Sequence, residues 1–94
     1  MRVAIVEDMD ENIAILQAYL DRYGAEHHIA IQYFGFRDGM DFVEGYRPEW
    51  DLILLDIEMP LLNGMDTARQ IRKSDPRVLI IFITCLTQYA IEGY

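Results

Sequence analysis

The sequence predicts an α/β domain built as a doubly wound parallel sheet with helices on both faces. Three observations predict it. Short apolar runs alternate along the chain with segments of helical periodicity, as a parallel sheet with crossover helices requires. The runs VAIV, LILL and VLIIFI are apolar throughout, as in strands buried on both faces. The breaks between segments hold Gly, Pro, Asp and Asn, the residues of turns and helix ends.

Arg2–Val6 is the first strand, brief and β-branched. DENIAILQAYLDRY follows as a helix with Asp10 as N-cap. Ile13, Leu16, Leu20 and Tyr23 share one face of it, and Gly24 marks its end. Residues 28–34 form the second strand. Residues 38–46 form a short helix capped by Asp38 and closed by Arg47-Pro48. The third strand is 51–56. A helix over about 64–73, capped by Asn63, turns Met65, Ala68 and Ile71 inward, and Asp75-Pro76 ends it. The fourth strand, 77–84, is apolar on both faces, and residues 88–94 begin another helix.

Ninety-four residues, half of them apolar, suit a single domain with a packed core, and no repeat, linker or low-complexity tract divides the chain. No apolar run is long enough to cross a bilayer, and the N-terminus lacks a signal-peptide core and cleavage site. The expectation is a cytoplasmic protein with no membrane partner. Its one cysteine, Cys85, forbids an internal disulfide and fits a reducing compartment. Net charge is −8, with Lys73 the only lysine beside seven arginines. That balance excludes a binder driven by nucleic-acid phosphates.

In a doubly wound sheet, functional groups gather at the carboxyl ends of the strands. The first strand ends in Glu7-Asp8, the third in Asp56 and the fourth in Thr84, so carboxylates from distant parts of the sequence meet beside a hydroxyl. Crowded carboxylates repel unless protons or a cation neutralise them. The donors are all oxygen, with no nearby His or Cys to attract zinc, which favours Mg²⁺ first and Mn²⁺ second. Beside such an ion one carboxylate can act as a nucleophile toward phosphorus, with Thr84 donating a hydrogen bond to a phosphoryl oxygen.

VAIVED, LILLDIEMPLLNG and LIIFIT resemble the three signature regions of the receiver domain of two-component response regulators, over essentially all 94 residues. DIEMP with the following Gly64 is the most specific part. LDIEMPLLNGMDTARQIRKSDP and TQYAIEGY further resemble receivers attached to LytTR-type DNA-binding domains. The resemblance implies a flavodoxin-like fold with strand order 2-1-3-4. It makes Asp56 the acceptor of a phosphoryl group from a sensor histidine kinase, a self-modification and not enzymatic turnover. Glu7 and Asp8, with Asp8 the more direct ligand, would hold the Mg²⁺ with Asp56 and the backbone carbonyl of Glu58. Thr84 would be the switch hydroxyl, and Cys85 stands where a smaller residue is usual.

The family pattern continues with a fifth strand, a phosphate-pairing lysine and a last helix, which the 94 residues lack. Lys73, near the end of the third predicted helix, lies at the wrong edge to replace that lysine. Contact with DNA would run only through an output domain that is absent. The exposed fourth strand then suggests a homodimer or an exchange of elements with a second copy. Two other functions compete. One is a binding or dimerisation module impaired in phosphorylation. The other is an aspartate-nucleophile phosphatase of haloacid dehalogenase type, which Asp56-x-Glu58 echoes, although that family carries its motif on the first strand. His27-His28 reads as a polar loop, Tyr89 and Tyr94 as half-buried helix aromatics, and Thr87 as the rival hydroxyl to Thr84.

Overall fold

The computed structural model describes residues 1–59 and 61–84. In order, the elements are β1 (Arg2–Val6), α1 (Asp10–His27), β2 (Gln32–Phe36), α2 (Gly39–Val43), β3 (Leu52–Asp56), α3 (Gly64–Ser74) and β4 (Leu79–Ile83). The strands form one parallel sheet in the order β2-β1-β3-β4, as the resemblance implied. Alternation along the pleat sends successive side chains to opposite faces. Val3, Ile5, Leu52 and Leu54 meet Leu16 of α1 on one face, with Ile13 and Leu20 closing over them. Ala4, Val6, Ile53 and Leu55 meet Phe42 of α2 and Ala68 and Ile71 of α3 on the other. Burying each of the Val, Ile, Leu and Phe side chains contributes about 1.5–3 kcal/mol. The two central strands, β1 and β3, are therefore the rigid part of the molecule.

Several sequence expectations are corrected by close contacts. α1 does not stop at Gly24 but runs on to His27, where His28 takes the left-handed conformation (φ 57°). Gly24 serves the chain reversal instead: a Cβ there would stand 2.8 Å from the Ile29 carbonyl, whose own N–H donates to Gly24 O. That reversal uses up residues 28–31, so β2 starts at Gln32. Tyr23 is half exposed; it rests against the His27 ring and lines an apolar groove with Leu20, Ile31, Leu52 and Leu54. Met9, not Asp10, is the N-cap of α1, and Asp10 pairs with Arg37.

α2 is short. Asp38 caps it by accepting from Asp41 N–H at 2.7 Å, and Gly45 (φ 70°) turns the chain away soon after Val43. Asn63 caps α3 by accepting from Asp66 N–H at 2.9 Å. The inward stripe of α3 begins at Gly64 and continues through Thr67, Ala68 and Ile71, the 3.6-residue spacing. Met65 accordingly points outward, and fully buried Thr67 takes the inward place with its hydroxyl donating to Asn63 O. β4 is apolar in sequence but not buried: Leu79 is 57 % and Ile81 44 % exposed. The predicted helix at 88–94, with Cys85, Thr87, Tyr89 and Tyr94, lies outside the described residues.

Candidate metal centre

Val6 and Leu55 are register partners in neighbouring strands, so the residues that follow them, Glu7 and Asp56, leave the sheet side by side. β1 hands on to Glu7 and Asp8, and β3 ends in Asp56 itself. Unbroken burial of β3 holds Asp56 in place, and Glu7 N–H donates to Phe36 O at 2.9 Å, extending the β1–β2 ladder past the last strand residue. Glu7, Asp8 and Asp56 each present a carboxylate oxygen within 4.8 Å of the others. They open onto a cleft of about 260 Å³ whose wall also includes Glu11, Asn12 and Glu58.

Glu7 is 1 % and Asp56 5 % exposed. Glu7 Oε1 accepts from Met9 N–H at 3.1 Å and from the Asn12 amide at 3.3 Å. Glu7 Oε2 is buried with no N–H donor among the described residues, and the Glu7 and Asp56 carboxyls lie close enough to share a proton when no cation is bound. Asp56 Oδ1 accepts from Glu58 N–H at 3.1 Å. Burial pushes the Glu7 carboxyl up to about 7, and the Asp56 charge adds to the rise, against the pull of the Met9 and Asn12 donors. Burial likewise raises Asp56, with the charges of Asp8 and Glu58 adding to it. The cluster thus takes up either a proton or a cation.

The donor set fits a hard divalent cation. It is all oxygen, it is anionic, and it contains a buried carboxylate oxygen that lacks a donor. Mg²⁺ matches those terms. Among the described residues no basic side chain pairs with Glu7, Asp8 or Asp56. The ion pairs, Arg2–Glu49, Arg22–Glu26, Arg37–Asp10 and Arg69–Asp66, all lie elsewhere.

Of the sequence-predicted site residues, Glu7, Asp8 and Asp56 converge. Glu58 lines the cleft with its side chain exposed. Thr84 immediately follows Ile83, the register partner of Asp56, but is exposed and does not line the cleft. Lys73 sits in the last turn of α3. Gly64, named in the sequence as part of the DIEMP motif, gains a physical role, and one contributor, Asn12, was missed. Gly64 lies so close beneath the Asp56 loop that a Cβ would meet the Asp56 carbonyl and Ile57 Cα, and its N–H donates to Ile57 O. Asn12, the Glu7 donor, had a signal: it shares the helical stripe of Leu16 and Leu20 yet is polar.

Comparison with known proteins bears on this arrangement. Residues 3–93 match the response regulator receiver domain family. The chain is 32 % identical over 78 residues to the aerobic respiration control sensor protein ArcB of Escherichia coli, covering 82 % of this chain and 9 % of that protein. It is 36 % identical over 81 residues to the luminescence regulatory protein LuxO of Vibrio campbellii, covering 85 % of this chain and 17 % of LuxO. The chain thus spans a small part of the curated relatives it matches. The response regulator TrrA of Thermotoga maritima, solved with Mg²⁺ and BeF, superposes with TM-score 0.77 at 26 % identity, over 98 % of this chain and 76 % of that one. In a complex of TrrA with the histidine kinase ThkA, the match has TM-score 0.70 at 28 % identity, over 89 % of this chain and 68 % of the other. The chain belongs to the response regulator receiver domain family.

Proposed function

We propose that this chain accepts a phosphoryl group on Asp56 from the phosphohistidine of a sensor histidine kinase. The observation that carries the reading is the convergence of Glu7, Asp8 and Asp56 on one cleft, with Asp56 at the end of a strand buried along its whole length. An Asp56 carboxylate oxygen forms the new bond to phosphorus as the donor's P–N bond breaks, and the electron pair returns to the imidazole nitrogen. Glu7, Asp8 and Asp56 would hold Mg²⁺, or Mn²⁺ in its place, by their side chains, and Glu58 by its backbone carbonyl. The bound ion supplies positive charge to the phosphoryl oxygens. Thr84 is the switch hydroxyl, one step beyond the register partner of Asp56.

The kinase partner is supported by family membership and by the TrrA–ThkA complex. We assign the chain to the cytoplasm, where such kinases present their phosphohistidine; no helix among the described residues is long and apolar enough to cross a membrane. The 94 residues form a single receiver domain, and any control of transcription runs through a DNA-binding output domain, of LytTR type by the wording of the LDIEMP segment.

Intact mass after incubation with Mg²⁺ and acetyl phosphate tests the acceptor. A stoichiometric, hydroxylamine-labile adduct lost in Asp56→Asn supports it. Steady turnover of a phosphate ester would point to a phosphatase instead.

A second reading, association with another copy through β4, is favoured by one observation. Leu79, Ile81 and Phe82 are exposed on a strand that pairs only with β3 among the described residues. A monomeric mass by light scattering at high concentration would remove it.

A further inference from the structure

The head of α1 contains a polar residue where its packing stripe calls for an apolar one. Positions 12, 16 and 20 fall on the inward face, and Leu16 and Leu20 pack on the sheet as expected. Asn12 is as buried as Leu16, at 6 % exposure, although Asn is a poor helix former and a buried amide is unfavourable without partners. Its Nδ2 donates to Glu7 Oε1 in a buried contact at 3.3 Å, and it lines the cleft. The stripe turns polar at the point where it leaves the core and reaches the carboxylates.

Glu7 has two oxygens, and the fold treats them differently. Oε1 is held by the Met9 N–H and the Asn12 amide, while Oε2 is buried without an N–H donor among the described residues. With Oε1 fixed on the α1 side, the carboxylate cannot rotate freely, and Oε2 remains for a ligand. The residue type suits this task. A lysine or arginine at position 12 would compete with a cation, and an acid would add repulsion to an already crowded cluster. A neutral amide donates a hydrogen bond without changing the charge.

We propose that Asn12 is a positioning residue for the cation site: by holding Glu7 Oε1 it presents Glu7 Oε2 to the metal. The inference rests on the metal-binding reading above and runs through the contact with Glu7. Loss of such an outer partner weakens metal affinity by roughly 10- to 100-fold.

The test is calorimetric titration of the unphosphorylated 94-residue protein with Mg²⁺, with no phosphodonor present. Asn12→Leu and Asn12→Ala are each expected to weaken binding roughly tenfold or more. The metal-free thermal midpoint of Asn12→Leu stays level or rises, since an apolar residue then continues the Leu16 stripe. Added to Glu7→Gln, Asn12→Leu changes affinity less than about twofold, because the residue it positions is already altered. Asn12→Ala, which favours the helix, carries the test if Asn12→Leu does not fold. Binding by both variants within about twofold of the unsubstituted protein overturns the proposal, as does a full further loss on top of Glu7→Gln. If the unsubstituted protein fails to bind Mg²⁺, the metal-binding reading falls too. Tight binding that ignores Asn12 removes this inference alone.

Discussion

Glu7 and Asp56 stand side by side at the ends of β1 and β3, both acidic, both almost wholly buried, and with no basic partner among the described residues. Two such groups destabilise the fold at neutral pH unless something neutralises them. The sheet tolerates the pair because β1 and β3 are its best-packed strands. A rigid core therefore supports a site under electrostatic stress, and its state depends on protons and cations.

The first prediction is the pH dependence of stability. The Glu7 carboxyl is raised to about 7 from 4.5, so the folded state holds its proton more tightly than the unfolded chain. The stability linked to that proton is complete below about 4.5 and is lost as pH rises through about 7. Asp56 is raised too and acts in the same direction. In chelator, the thermal midpoint is expected to fall between about pH 5 and pH 8. Saturating Mg²⁺ restores most of the loss at the upper end, and Glu7→Gln flattens the slope. A midpoint in chelator that rises steadily over this range would show that the carboxylates are not in conflict.

Asp56→Asn removes one of the two buried charges and keeps the shape of the side chain. Without metal, the variant is expected to be more stable than the unsubstituted protein at pH 8, by about 1 kcal/mol. Its Mg²⁺ affinity falls at least about tenfold, and the phosphoryl adduct disappears. Urea melts in chelator and a Mg²⁺ titration measure the two effects, which run in opposite directions. A variant less stable in chelator would argue that Asp56 serves the fold and not the cleft.

Gly64→Ala tests how the loop after Asp56 is held. A Cβ at Gly64 meets backbone, the Asp56 carbonyl and Ile57 Cα, which cannot rotate aside as a flexible side chain would. The loop must move or α3 must shift, and overpacking of this kind costs about 1–3 kcal/mol. Because the displaced atoms carry Asp56, Mg²⁺ affinity is expected to fall together with the thermal midpoint. A variant with unchanged affinity would show that the loop relaxes without moving the carboxylate.

Much of this site was legible from residue order because strand ends follow from strand composition. Once RVAIV and LILL are buried parallel strands, Glu7, Asp8 and Asp56 must emerge at one edge. Contacts set by tertiary approach were not legible. Gly24 reads as a helix stop, but the constraint at Gly24 comes from the Ile29 carbonyl five residues on. Met65 and Thr67 exchanged places because the buried stripe of α3 runs through Gly64, Thr67, Ala68 and Ile71, which leaves Met65 outside it; that choice of face is made by the sheet and α2, not by the helix's own residues. The apolar run of β4 reads as buried, yet burial depends on what covers a strand and not on its own residues. Asn12 was open to notice as a polar break in an apolar stripe, but its partner Glu7 becomes visible only in three dimensions.

The last prediction concerns the opposite edge of the sheet and serves as a control. Tyr46, beyond α2, donates its hydroxyl to Asp75 Oδ2 at 2.7 Å, joining that segment to the end of α3. Burial and the Asp75 carboxylate raise the hydroxyl well above its ordinary value, so it stays protonated and donating throughout the working range. Tyr46→Phe keeps the ring, which packs edge-on against Phe42, and removes only that donor. The expected loss is about 1.5–3 kcal/mol, typical of a hydrogen bond to a charged acceptor. Mg²⁺ affinity and phosphorylation by acetyl phosphate are expected to stay within about twofold, since the bond lies near the amino ends of the strands and the carboxylates at the other end. Chemical denaturation and a Mg²⁺ titration of the same sample separate the two. A loss of affinity matching the loss of stability would mean that the α2–α3 face and the cleft are coupled through the sheet.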